Sequence, residues 1–563
     1  MSIMERNIYK ETAERLIDVY GFSTRYINIL AEERNMSSLV SVLDLSMTNV
    51  EKLELMLRLE GSEFFAGPDS RELRKRIIDK WDSEVRDSIF EQRCDSNGKS
   101  DSHKSRKLSE LNWHIGGGWS RQFMDISGFD PIFCGRKIKS LSASDYEDVE
   151  PYKKLPDLVD YQIGIKEELQ KALSEQGDDA KCLISLPTGA GKTRVAVEAY
   201  TDFLRPRFFE GKYLIWIAQS EELCEQSIAT FKQIWQHKEF SESLRIYRLF
   251  GNHKLDAESM IGGIVVCSIN KIYNAIKKGD NEAIRLLIEN CGAVIIDEAH
   301  RAVTSMYELF YKYSSQIRGE KMFPICGLSA TPGRTDDINS LIKLFRFQLV
   351  TPKIPIKYSD HPISYFRERR FLACPIHEII TTGTTYIINV EPGKPMPSPD
   401  ELEFEVSKKA CKKLAVDVQR NKKIMQKLMS LKNEQTIVYS CTVDHAKFLA
   451  SALLVNGVSA AAVTSQTPKH LRLDYIEKFR NGELKVLVNH SVLTTGFDAP
   501  RTNNIVITRP IFSDILYEQI VGRGLRGPKF GGTETCRIVD FTDNLGRFGD
   551  QQSYHRFENF WVC

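Results

Sequence analysis

Apolar residues recur along this chain in two different rhythms. Up to about residue 93 they return at helical spacing, as in Val50-Glu51-Lys52-Leu53-Glu54-Leu55-Met56-Leu57-Arg58-Leu59, which marks one face of a helix. From about 151 to 345 the rhythm changes to short apolar runs separated by helical stretches. Cys182–Leu186, Leu214–Ala218, Ile264–Cys267, Ala293–Ile296 and Pro324–Leu328 each read as a buried strand. A second set runs from about 431 to 545, with Thr436–Ser440, Ala460–Thr464, Val486–Asn489, Asn504–Thr508 and Arg537–Phe541. Strands that alternate with helices assemble into parallel sheets covered by those helices. The pattern predicts an α/β protein with two such sheets, preceded by a mainly α-helical region.

Four segments are expected: a helical accessory region over 1–150, a first α/β domain over 151–345, an interlobe linker or insertion over 346–430, and a second α/β domain over 431–563. Inside the first, the polar run from Cys94 to Lys104 reads as a flexible loop. The acidic run Asp145-Tyr146-Glu147-Asp148-Val149-Glu150 then leads into the first sheet. Inside the third, a proline-rich loop from Pro392 to Pro399 precedes a helix expected to begin near Val406.

Composition narrows the class without naming it. With 563 residues the chain has length for several cores. No apolar run approaches the ~20 residues of a membrane span, and the first residues lack the order of a signal peptide, so a cytoplasmic protein with no membrane contact is expected. The 12 cysteines are scattered with no Cys-x-x-Cys pair, which predicts neither zinc nor a disulfide framework. Net charge is +2, but residues 1–150 hold 22 basic against 27 acidic residues, leaving +7 on the remainder. Such mild basicity suits contact with a few phosphates along a groove, not the wrapping of a duplex.

The chemistry begins at Leu186-Pro187-Thr188-Gly189-Ala190-Gly191-Lys192-Thr193, between a predicted strand and a predicted helix. Backbone N–H groups of Thr188, Gly189, Ala190 and Gly191 are placed to turn towards phosphate oxygens at the positive helix end. Lys192 would neutralise the outer phosphates of ATP, and the Thr193 hydroxyl is a Mg²⁺ ligand. Next comes Asp297-Glu298-Ala299-His300 at the end of an apolar run. Asp297 is read as a Mg²⁺ holder and Glu298 as the group that orients and deprotonates water. In Gly327-Leu328-Ser329-Ala330-Thr331-Pro332-Gly333, Ser329 and Thr331 are suited, with His300, to couple the carboxylates to a nucleic-acid groove. In Thr494-Thr495-Gly496-Phe497-Asp498-Ala499-Pro500, Thr494 would meet a phosphate while Gly496 and Asp498 face the nucleotide. Gln519, Arg523 and Arg526 share roughly one helix face, and arginines reaching from another lobe stabilise a transferring phosphoryl group. Taken singly, these blocks are an acidic turn, a strand entering a turn and a solvated helix. Their order along the chain is the joint constraint.

With these motifs the chain resembles superfamily 2 helicases and translocases of the DEAH-box kind. Within them it is similar to RadD-like DNA repair helicases and the motor subunits of type I and III restriction enzymes. Thr494–Pro500, Gln519–Arg526 and the linker-like Tyr365-Phe366-Arg367-Glu368-Arg369-Arg370-Phe371-Leu372-Ala373 carry the likeness. The resemblance implies two tandem RecA-like domains using ATP and Mg²⁺, with Gln162 reading adenine. Val159-Asp160 stand where relatives often have Arg-Pro. It also implies strand-gripping roles for Gln219, Ser220, Ser268, Asn270 and Lys271 in the first lobe, and for Ser440, Thr464 and Ser465 in the second. Such donors hold phosphates without reading sequence. Two departures stand out: RadD-like proteins generally carry a cysteine-rich zinc region after the motor, whereas no metal-ligand spacing is expected in these residues, and residues 1–150 show no nuclease pattern.

The implied function is a DNA helicase or double-stranded DNA translocase, in DNA repair or anti-phage defence. DNA is favoured over RNA by the resemblance alone. Rival readings are an RNA helicase, an ATP-gated clamp that recruits a nuclease, and a simple P-loop NTPase or kinase, against which the second-lobe arginines count. Residues 1–150 read either as a helical cap on the motor or as a docking module for a protein partner such as a nuclease or defence effector.

Overall fold

The computed structural model describes residues 3–33, 47–66, 70–94, 100–114, 116–134, 146–149, 155–174, 180–208, 210–219, 221–238, 242–279, 282–299, 302, 304–319, 322–329, 343–346, 348–359, 361–386, 409–492, 499, 501–545 and 553. Eight strands make the first sheet: β1 (Tyr146–Val149), β2 (Lys181–Ser185), β3 (Tyr213–Ala218), β4 (Leu244–Leu249), β5 (Gly263–Ser268), β6 (Cys291–Ile296), β7 (Ile325–Ser329) and β8 (Leu349–Val350). Their order is β1-β4-β5-β3-β6-β7-β2-β8. All neighbours run parallel except β1, which is antiparallel to β4.

A parallel sheet buried on both faces needs strands that are apolar throughout, and β3 is buried at all six positions. Its residues alternate between two cores. Leu214, Trp216 and Ala218 face the one that holds helix Lys192–Phe208. Ile215 and Ile217 face the other, with Leu287 and Phe310.

The second sheet is built from β9 (Cys374–Thr385), β10 (Thr436–Tyr439), β11 (Ala460–Val463), β12 (Val486–Asn489), β13 (Asn504–Ile507) and β14 (Thr535–Asn544), in the order β11-β12-β10-β13-β14-β9 and parallel throughout. Ile437, Leu487 and Ile505 pack on one side, Val438, Val488 and Val506 on the other. The architecture is two helix-covered parallel sheets after a helical N-terminal region, as the rhythm of the chain implied, and these are the two RecA-like lobes that the resemblance implied.

Several segments differ from expectation. The connecting stretch 346–430 supplies β9, which pairs with β14 from Thr535 onward. Its exposed Ile376 and Ile379 break the buried run that betrays an inner strand. The acidic run supplies β1, at the edge of the first sheet. The polar stretch expected as a flexible loop, Cys94 to Lys104, ends in the first turn of helix Asp101–Glu110, and its residues 95–99 lie outside the described residues. Two ion pairs of 2.7 Å, Arg86–Asp101 and Lys104–Asp87, tie it to helix Ser83–Arg93. Partner charges there outweigh weak intrinsic propensity. Ten described cysteines are not disulfide-bonded, whereas Cys374 is.

The N-terminal helices enclose a core of their own, with Leu16, Ile27, Leu57, Phe64, Phe65, Ile77 and Phe123 fully buried. Helix Asn49–Glu60 opens on a capping box, in which the Glu51 N–H donates to Thr48 Oγ1 at 3.2 Å and the Thr48 N–H to Glu51 Oε2 at 2.8 Å. This helix lies along helix Val443–Val455 of the second lobe. Leu59 packs against both cores at once. Helix Val443–Val455 buries His445, Ala446, Phe448, Leu449, Ala450, Ser451, Ala452 and Leu453, a set that covers the whole circumference. A helix apolar all round needs cover on every side. Removing residues 1–134 is therefore expected to lower Tm by roughly 4–10 °C and to expose dye-binding apolar surface. Unchanged melting would show that the second lobe closes its core alone.

Candidate active site

Between β2 and helix Lys192–Phe208 the chain turns through Gly189 (φ 88°) and Gly191 (φ 87°), a region that costs glycine nothing. A Cβ on Gly191 would lie 2.6 Å from Gln162 Nε2. Gln162 is buried: its Nε2 donates to the Ala190 carbonyl at 3.2 Å, and its Oε1 accepts the Val159 N–H at 3.2 Å. Tyr161 donates its hydroxyl to the same Ala190 carbonyl at 2.7 Å. The residue expected to read adenine thus also braces the loop, fixing Thr188–Gly191 relative to helix Asp160–Ser174.

Lys192 stands at the first turn after the loop, its Nζ donating to the Leu186 carbonyl at 3.2 Å. Burial holds its ammonium below the ordinary lysine range, while Glu298, Asp297 and Glu518 favour the charge and Arg523 opposes it. Asp297 and Glu298 follow β6, with the Asp297 N–H bonded to the Ile217 carbonyl of β3 at 2.9 Å. Burial pushes the Asp297 carboxyl from 3.8 up to about 7, and Glu298 adds to the rise against the pull of Lys192. The Glu298 N–H donates to Asp297 Oδ1 at 3.1 Å. Glu298 itself has φ 52°, a left-handed conformation rare for a residue with a side chain. One electric field therefore links the loop, the acidic pair and a guanidinium from the other lobe. Glu518, one turn before the arginines, is a member of this group that motif reading passed over.

The second lobe meets the loop directly. Helix Asp514–Val521, capped by Ser513, carries Gln519 and runs into Gly522. A Cβ on Gly522 would collide with the Thr188 side chain. A Cβ on Gly189 would lie 3.3 Å from Leu372 Cδ2 and 3.7 Å from Arg526 Cγ. Arg523 and Arg526, separate in sequence from the loop by over three hundred positions, thus border it in space.

The expected nucleic-acid contacts divide. Gln219, Ser268, Asn270 and Lys271 line one cavity of about 360 Å³ with Glu221, Gly251 and Asn274, and Lys271 Nζ donates to the Gly251 carbonyl at 2.6 Å. In the second lobe Ser440 and Thr464, expected as strand-gripping donors, are buried and bonded within the lobe. The Ser440 hydroxyl lies 2.9 Å from the Asn489 carbonyl, and Thr464 Oγ1 accepts the Gln466 N–H at 3.2 Å. The first bond ties β10 to β12, and the second closes a local turn after β11. Ser465 is exposed beside them. Ser329 is buried at the end of β7, its carbonyl accepting the Leu186 N–H at 3.3 Å. Thr193 sits in the first turn of its helix, half-buried. Ser220, His300, Thr331, Thr494, Gly496 and Asp498 lie outside the described residues.

Residues 155–334 match the family described as "Type III restriction enzyme, res subunit", and residues 419–527 match "Helicase conserved C-terminal domain". The chain belongs to the superfamily 2 helicases, related to restriction-enzyme motor subunits. The two matched segments are the two lobes that meet at the loop.

Among the relatives of this chain, the putative ATP-dependent helicase IRC3 of Saccharomyces cerevisiae is 27% identical over 365 residues, 64% of this chain and 48% of that protein. Putative helicase 22 of a Sulfolobus islandicus filamentous virus is 25% identical, covering 61% and 57%. DNA 3'-5' translocase XPB2 of Sulfurisphaera tokodaii is 22% identical, covering 66% and 80%. The chain thus spans about half the length of the first two. A solved fragment of a putative HsdR subunit of a type I restriction enzyme from Vibrio vulnificus is 22% identical, covering 69% of this chain and 65% of that one, with a TM-score of 0.44.

The raised carboxyl of Asp297 has a consequence for stability. An acid whose folded pKa lies above its unfolded value costs the folded state nothing below pH 3.8. The cost grows as pH rises and is complete above about 7. Asp297→Asn should therefore raise Tm by roughly 2–6 °C at pH 8 without divalent cations, and by little near pH 4. An equal gain at both pH values in thermal melts would remove the electrostatic cause.

Proposed function

We propose that this helicase-family chain is an ATP-driven motor on nucleic acid, with DNA as its track. The observation that carries the reading is the charged constellation between the lobes: Lys192, Asp297 and Glu298 on one side, Arg523 and Arg526 on the other, with Gly522 against Thr188. Two left-handed glycines, Gly189 and Gly191, shape the turn that precedes the helix, where backbone N–H groups would meet phosphates. Asp297, crowded by Glu298 and pushed up to about 7, is a carboxyl that a cation would relieve. With the Thr193 hydroxyl it forms an oxygen donor set suited to Mg²⁺. Bound there, Mg²⁺ would supply charge neutralisation to the outer phosphates.

The chain's own residues carry the remaining roles. Lys192 pairs the outer phosphates in place of the Leu186 carbonyl. Glu298, its N–H fixed on Asp297, orients water and takes its proton. Arg523 and Arg526 stabilise charge on the transferring phosphoryl group from the second lobe. Gln519 lies on the same segment and steadies it over the nucleotide, and Gln162 holds the adenine end. His300, Ser329 and Thr331 pass the change of state to the groove. Gly496 and Asp498 complete the nucleotide's second-lobe wall, and Thr494 joins the groove.

Gln219, Ser268, Asn270 and Lys271, which share one cavity, and the exposed Ser465 hold the strand through its phosphates. Because those donors carry no sequence information, movement on any sequence follows. The "res subunit" description and the DNA translocase among the relatives support DNA over RNA. A role in repair or anti-phage defence rests on the same likeness. For residues 1–150 a cap on the second lobe is favoured by the double packing of Leu59. A nuclease or other effector would find a groove of about 880 Å³ there, between Gln92-Arg93 and the face of helix Gly118–Ser127 that bears Arg121 and Asp125.

ATPase rates on single-stranded, duplex and forked DNA and on RNA test the reading, with triplex displacement to separate a translocase from a stationary clamp. Stimulation by DNA with displacement is expected; stimulation by RNA alone, or none, overturns it. Lys192→Ala should abolish turnover, and a rate within roughly threefold of wild type would defeat the loop assignment. Glu298→Gln should bind ATP yet hydrolyse it at least ~100-fold more slowly. Loss of nucleotide binding instead would make Glu298 structural.

A further inference from the structure

We infer that Phe371 and Leu372 form an interlobe latch that sets the position of Arg526 over the phosphate loop, a positioning role resting on the ATPase reading above. The chain crosses between the lobes at this point. Phe371 and Leu372 belong to the first lobe's core, and Ala373, the next residue, to the second's.

Backbone bonds pin Arg526 from both neighbours. The Ala373 N–H donates to the Leu525 carbonyl at 2.9 Å, and the Gly527 N–H to the Phe371 carbonyl at 3.0 Å. Leu372 and Arg526 therefore face each other as an antiparallel bridge. The Lys529 N–H adds a bond to the Arg370 carbonyl at 3.2 Å. The approach is close enough that any Cβ on Gly527 would collide with the Arg370 backbone, and any on Gly532 with that of Arg526.

The side chains of the same two residues rest on the nucleotide-binding turn. Leu372 Cδ2 faces Gly189, 3.3 Å from where a Cβ would stand. The Phe371 ring meets Tyr161 edge-on at 5.2 Å and 68°, and it stacks on Phe530 at 5.6 Å and 21°. Tyr161 holds the Ala190 carbonyl at 2.7 Å. Arg526 and the loop it serves are thus both gauged from one pair of residues, in addition to the contact of Gly522 with Thr188. A single bridge residue whose backbone sets one reacting group while its side chain touches the other is a positioning element. Displacement by ~1 Å at such a contact costs up to ~100-fold in rate.

The test is a double-mutant cycle in the full chain, read as kcat and ATP KM on stimulating nucleic acid, with thermal melts of every variant. Leu372→Ala should lower kcat at least ~10-fold with KM within ~3-fold, and Leu372→Met should restore most of it. Added to Arg526→Ala, it should cost almost nothing more, because its effect runs through that arginine. Additive losses, or a KM that rises as far as kcat falls, would overturn the latch. If Leu372→Ala fails to fold, Leu372→Val shortens the reach while keeping the apolar burial and carries the same cycle. Arg526→Ala alone separates the two claims. Wild-type kcat there would sink the ATPase role of Arg526, whereas a collapsed kcat with an unaffected Leu372→Ala would sink only the latch.

Discussion

Two adjacent residues, Leu372 and Ala373, belong to different hydrophobic cores, and consecutive Cα atoms are only ~3.8 Å apart. That geometric fact denies the lobes any slack where they are joined. Their facing surfaces are drawn into contact at Gly522 and Thr188, and at Gly189 and Arg526. Neither half of the charged cleft is a site by itself. The loop, ammonium and carboxylates come from one sheet's edge, the guanidinium groups from the other lobe, and the crossing point determines that they meet.

What the cleft gains in chemistry it loses in local stability. Asp297 is buried beside Glu298, Glu298 adopts a left-handed backbone, and Lys192 is drawn from water close to Arg523. Each arrangement is unfavourable in isolation, and strain of this kind survives only where surrounding structure over-determines it. Here β3 and β7 supply that support, through the Ile217 carbonyl on Asp297 and the Ser329 carbonyl on Leu186. Inner strands of a parallel sheet are a rigid base for the purpose.

The inner strands and the phosphate loop were legible in the chain because their physics is local. A run such as Tyr213–Ala218 has no polar face to hide, and glycine before Lys192 has a steric meaning of its own. The parts that escaped depend on partners distant in sequence. β9, at a sheet edge, leaves most of its positions exposed or half-buried. Helix Asp101–Glu110 is held by charges on another helix, and the Ser440 hydroxyl is bonded to Asn489 on the neighbouring strand. Glu518 stands beside Gln519, but its charge on Lys192 is a tertiary fact that no motif carries. The linker-like stretch around Phe371 was recognised by likeness, yet its bond to the arginine segment is a tertiary fact.

The packing of helix Asn49–Glu60 on helix Val443–Val455 also dictates an order of events during synthesis. Leu59 and its partners near Leu449 are separated by roughly 390 residues, among the most non-local contacts a chain of this size can make. At ordinary translation speeds, of about 5–20 residues per second, the N-terminal helices emerge and wait on the order of 20–80 s before the surface that covers Leu59 exists. Through that interval the flank of the helical region that carries Leu59 stands open to water, until helix Val443–Val455 is made and covers it.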